Sequence, residues 1–185
     1  MPKPKQYRLP EIAAPNDHSL HSSYREVLLE HLFIGEILRH AWTSGLGRLD
    51  VLKPQVDDGG YDLVLELARK GHSVVRHIQL KSTSENSKVA RFTINKSLAQ
   101  KLGGCVIVLI ADHETLNLRS FLWFGSDGDR PLDLSNRRNA KHTKGDAQGV
   151  KHERPNICVV PRGDFQPVDN IADLTHRLFG TPAMP

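Results

Sequence analysis

YDLVLELARKGHSVVRHIQLK, residues 61–81, decides how this chain is read. Tyr61 to Ala68 has the composition of a strand, Arg69-Lys70-Gly71-His72 that of a turn, and Ser73 to Lys81 that of a returning strand. Together they predict an antiparallel hairpin. Strand alternation puts His77, Gln79 and Lys81 on one face and Ile78 and Leu80 on the other. Just upstream, Asp57-Asp58-Gly59-Gly60 is a strong turn signal, so Asp62 opens its strand directly after it. A hairpin with this layout sets Asp62 beside Gln79 and Lys81. A carboxylate and an ammonium converging at a strand start can hold a divalent cation and an attacking water. Asp62 capping the turn is the plainer alternative.

Working outward, Val51 to Val56 reads as a further strand, edge or bent because of Pro54, which makes the region a meander. Before it, the apolar spacing predicts a long helix from Tyr24 to Thr43, ending ahead of Gly45 and Gly47. Ser23 and Glu26 have the spacing of a capping box. Glu30 falls within the apolar arc of Val27, Phe33, Ile34, Ile37 and Ala41, while Glu36 projects to another side. A carboxylate on a buried face is costly unless paired or metal-bound, so Glu30 is either a ligand or one half of a salt bridge. The leucines of this helix are mostly accounted for by the core, and Trp42, Phe121 and Trp123 are expected as core or helix-packing residues.

Downstream, Arg91 to Ile94 reads as a strand and Asn95 to Leu102 as a short helix stopped by Gly103-Gly104. Cys105 to Ala111 is an unbroken apolar run, the signature of a strand buried on both faces. Ser120 to Phe124 and Ile157 to Val160 are strands, and Asn170 to Phe179 is a closing helix. Residues 1–20 read as a poorly ordered lead-in, and 21–180 as one domain of the α/β or α+β class with a polar, basic excursion over 130–154.

With 185 residues, 38% of them hydrophobic and 25% charged, the chain can bury a core and is not compositionally disordered. The net charge of +4 permits a polyanionic partner without requiring one. Two cysteines in unrelated contexts argue against a disulfide framework or a cysteine-based zinc site. No stretch is long and apolar enough to span a bilayer, and the first residues lack a signal-peptide core, so a cytoplasmic protein with no membrane association is expected. The ten histidines form no recognisable metal-ligand spacing; His77 alone shares a face with Gln79 and Lys81.

A helix carrying Glu30, then Asp62 after a glycine turn, then Gln79-Leu80-Lys81 on the next strand resembles the PD-(D/E)xK nuclease superfamily. The runs Asp58-Gly59-Gly60-Tyr61-Asp62 and His77-Ile78-Gln79-Leu80-Lys81-Ser82 are most similar to its Mrr-like and Holliday-junction-resolvase-like branches, over roughly residues 24–125. The resemblance implies a restriction-endonuclease-like fold, a mixed central sheet flanked by helices. It also implies Mg²⁺-dependent hydrolysis of phosphodiester bonds in DNA, with Mn²⁺ as a substitute. Glu30, Asp62, Gln79 and Lys81 would then be the catalytic set. Asp62, Glu30 and the backbone carbonyl of Leu80 would hold the metal, and Lys81 would orient the water or stabilise the phosphate. Gln79 departs from the acidic residue usual at its position: it offers an oxygen without a charge, which weakens the case for a second metal. A fold that binds nucleic acid or a protein partner but has lost catalysis is the alternative.

Beside such a site, Arg137, Arg138, Lys141, Lys144 and Lys151 would clamp the nucleic-acid backbone. A solvated basic face is the plainer reading of the same charges. Cutting both strands of a duplex would favour a homodimer, although the sequence shows no interface for one.

Overall fold

A computed structural model describes residues 22–56, 59–126 and 130–180. The predicted lead-in and the Asp57-Asp58 half of the glycine turn lie outside the described residues. Helix α1 spans Ser22–Thr43, so Ser22 and Ser23 are already helical and the cap position falls outside the described residues as well. The meander follows as strands β1 (Leu49–Leu52), β2 (Leu63–Arg69) and β3 (His72–Ser84). β1 starts earlier than the sequence suggested and stops before Pro54, which has no N–H for a ladder. Then come β4 (Arg91–Asn95), β5 (Gly104–Ala111), β6 (Leu118–Gly125), β7 (Asn139–Lys141), β8 (Glu153–Pro161), β9 (Gln166–Val168) and helix α2 (Ile171–Phe179). The helix expected from Asn95 is one 3₁₀ segment, Lys96–Gln100, capped by the Asn95 side chain, which accepts from the Ser97 N–H at 3.0 Å.

Six strands form one sheet in the order β1-β2-β3-β5-β6-β9. Every neighbouring pair is antiparallel except β3 and β5, which run parallel, so the sheet is mixed. All eight residues of β5 are buried, as its unbroken apolar run requires. Both helices lie against one face. There Leu29, Phe33, Ile37 and Ala41 of α1 and Leu174, Leu178 and Phe179 of α2 join Leu63, Leu65, Ile78, Ile107 and Leu109 in one core. Phe33 is fully buried and meets Phe121 edge-on at 6.2 Å; truncating such a side chain typically costs about 3–5 kcal/mol.

The opposite face is covered by a second sheet of three strands, β4-β8-β7. Phe92, Ile94, Cys158 and Val160 close over Val106, Val108, Ile110 and Leu122 in a second core. The protein is therefore a three-layer α/β fold: helices, a six-stranded sheet, then a three-stranded sheet. The segment over 130–154 is not a detached excursion. Leu132, Leu134 and Ala140 are buried, and β7 pairs with β8. Of the aromatics expected in the core or in helix packing, Phe121 and Trp123 are in the core, whereas Trp42 is outside it, 87% exposed at the end of α1.

Candidate active site

The site is built where β3 outruns β2. β2 begins at Leu63, opposite Ile78, whereas β3 continues to Ser84 with ladder pairing only to β5. The chain reaches this point through Gly60, whose φ of +73° favours glycine. A Cβ there would sit 2.8 Å from the Asn95 side chain, so a larger residue is also excluded by contact. From that turn, the Asp62 N–H donates to the Ile78 carbonyl at 2.8 Å. The Asp62 carboxylate in turn accepts from the Leu80 N–H at 2.6 Å. The predicted juxtaposition of Asp62 with the Gln79-Leu80-Lys81 stretch is thus present, and it is held by two hydrogen bonds across the strand end.

A cleft of about 440 Å³ opens at this place, lined by Glu26, Glu30, Asp62, Leu80, Lys81 and Phe92 among others. α1 contributes Glu30, half-buried at the edge of its apolar face. Its carboxylate is ion-paired with Lys53, just beyond β1. This is the salt bridge weighed in the sequence, with a partner that no spacing pointed to. Glu26, read as a capping residue, is a second helix carboxylate on the cleft. Among the described residues Lys81 makes no hydrogen bond or ion pair, so its ammonium is available to a ligand.

Gln79 takes a different position. It is 9% exposed, and its side-chain oxygen accepts from the Asn95 N–H at 3.2 Å, linking β3 to the end of β4. His77 is also engaged away from the cleft: its ring meets Tyr61 edge-on at 4.9 Å, and Nδ1 lies 3.1 Å from the Leu102 carbonyl oxygen.

Among the described residues no group of three His, Cys, Asp or Glu side chains forms a ready-made metal cage. The donors on the cleft are carboxylate oxygens from Glu30 and Asp62, joined by Glu26 at its rim. They suit Mg²⁺, a hard cation that keeps several waters and commonly takes one or two protein carboxylates together with substrate phosphate.

The basic residues of the 130–154 segment divide into two kinds. Arg137 is ion-paired with Asp164 and lies over the Phe124 ring at 5.5 Å. Arg138, Lys141, Lys144 and Lys151 are exposed. The last three sit on the β7–β8 hairpin, whose tip is ordered by Asp146. That carboxylate accepts the N–H groups of Gln148 and Val150 and meets the His152 ring at 2.7 Å. These bonds hold the Asp146 carboxyl below its usual range, the Val150 N–H contributing most.

Comparison of the chain with protein-family models, curated proteins and solved structures finds no significant match in any of the three.

Proposed function

We propose that this protein is a Mg²⁺-dependent nuclease that hydrolyses phosphodiester bonds in DNA, with a restriction-endonuclease-like arrangement of its site. One observation carries the reading: Glu30, Asp62, Leu80 and Lys81, which the sequence resemblance named, line a single cleft at the end of the β2–β3 ladder.

In this reading Asp62, Glu30 and the Leu80 carbonyl would hold the metal, whose chemistry is to polarise the phosphate and lower the pKa of a bound water. The Leu80 N–H fixes the Asp62 carboxylate, so one ligand oxygen is oriented before substrate arrives. Lys81 supplies a positive charge at the cleft wall, where negative charge grows on the phosphate as it is attacked. Lys53 balances Glu30 while the cleft is empty and would part from it when a cation binds. Gln79 serves the site indirectly, by holding β3 against β4. Arg138, Lys141, Lys144 and Lys151 would follow the backbone by charge alone, since no base-reading motif is present.

The test is cleavage of linear, circular, single-stranded and branched DNA by the wild type, Asp62→Ala and Lys81→Ala, with Mg²⁺, Mn²⁺ or EDTA. Cleavage by the wild type alone, abolished by EDTA, is expected; losses of 10²-fold or more in each variant are the scale of removing a group that stabilises the transition state. Undiminished cleavage by Lys81→Ala would place the site elsewhere. The Lys53–Glu30 ion pair favours a second reading, nucleic-acid binding without catalysis. Salt-dependent DNA binding with no cleavage under either metal would select it.

A further inference from the structure

Helix α1 has two apolar faces, and only one is used by the core. Leu29, Phe33, Ile37 and Ala41 are buried against the sheet. On the opposite side Tyr24 is 64% exposed, Leu38 37% and Trp42 87%, with Leu28, His31 and Gly35 in line between them. The positions 24, 28, 31, 35, 38 and 42 alternate steps of four and three, the spacing of a seam between two packed helices. No Asp, Glu, Lys or Arg stands on this seam.

The seam reads the same in both directions. When two copies of α1 are laid antiparallel, Tyr24 faces Trp42, Leu28 faces Leu38, and His31 faces Gly35, each pair formed twice. Gly35 is an independent sign of such contact. Glycine in a helix interior costs about 1 kcal/mol relative to alanine. A Cβ at Gly35 would meet nothing within 4 Å, so no neighbour among the described residues requires the glycine. An imidazole from an opposing helix would. Beside Trp42 lies a groove of about 620 Å³ lined by Leu38, Ala41, Gly45, Gly47, Leu49 and Arg48, the last ion-paired with Asp50, with room for a tyrosine ring from the opposing helix.

We propose that the protein is a homodimer formed by two α1 helices packed antiparallel along this seam, about a two-fold axis level with residue 33. The interface is isologous, with one surface serving both copies. The exposed side chains of the seam supply on the order of 400 Å² per copy, about 800 Å² in total, which is below the roughly 1,000 Å² of a stable interface and predicts a weak dimer that dissociates on dilution. The inference does not rest on the nuclease reading.

Sedimentation of the full chain through the micromolar range should show twice the 20.7 kDa chain mass, shifting toward the single mass on dilution. The double variant Leu38→Glu/Trp42→Glu should remain monomeric with an unchanged circular dichroism spectrum. Antiparallel order is read by mixing the single variants Tyr24→Cys and Trp42→Cys under oxidation: a disulfide should form in the mixture and in neither variant alone. Cys105 and Cys158 are buried and will not compete. A wild type that stays monomeric, a dimer indifferent to the double variant, or crosslinking within one single variant would each overturn the proposal.

Discussion

Gln79 and Lys81 are two residues apart on one strand and do different work. The Gln79 amide oxygen is spent on the Asn95 N–H, inside the junction between the two sheets. Replacing it by alanine leaves that half-buried donor without its side-chain partner. Gln79→Ala should therefore lose about 1–3 kcal/mol in a urea unfolding titration, whereas the open Lys81 should tolerate alanine with little change in stability. At this scale the sequence was informative about Asp62, because the hairpin that follows the glycine turn brings its strand start beside Gln79-Leu80-Lys81. It was silent about Lys53. An ion pair between a helix and the residue beyond an edge strand depends on how the helix lies across the sheet, and no local spacing encodes that.

Among the elements, the β7–β8 hairpin separates structural charge from displayed charge. Arg137 is bound to Asp164 and Phe124, so Arg137→Ala should lower stability. Lys141, Lys144 and Lys151 are exposed, so their alanine variants should keep stability and each reduce the salt dependence of DNA binding by about one unit of slope. Parallel unfolding and binding titrations over a salt series read both effects. The hairpin was hard to see in the sequence because β7 has only three residues and its partner lies beyond a polar tip. β9 was missed for the same reason. Long elements with a full period, α1 and β5 above all, were legible. So was the core face of α1, while its second apolar face was absorbed into the core by assuming that large side chains go inside.

For the molecule as a whole, the order of elements pointed to α/β or α+β and the family resemblance to a mixed sheet, but neither pointed to the second sheet over the far face. Short strands paired across long separations leave little local pattern. Burial on the helix side of the large sheet has a measurable effect on pH dependence. β5 is enclosed from both sides, and burial pushes the Cys105 thiol up to about 12, against a smaller opposing pull from the Arg76 guanidinium. The folded state therefore keeps a proton that the unfolded chain releases near pH 8.5. The unfolded state binds fewer protons in that interval, so stability is full below about pH 8.5 and falls as pH rises toward 12, by up to about 1.4 kcal/mol per pH unit from this group. Urea titrations at pH 7, 9 and 10 should show the decline, and Cys105→Ala should make it shallower, the rest coming from Cys158, whose thiol is also pushed up by burial.

The two borders of the large sheet have a further consequence. β1 has four residues and ends ahead of Pro54, and β9 has three, one of them Pro167 opposite Leu122. Between them run long, apolar strands that would template misassembly if any stood at a margin. Placing the shortest strands outermost, each ended or interrupted by a residue without an N–H, deprives a stray chain of a continuous ladder to extend. The outermost strands of the large sheet thus offer only short, interrupted ladders for a stray chain to pair with.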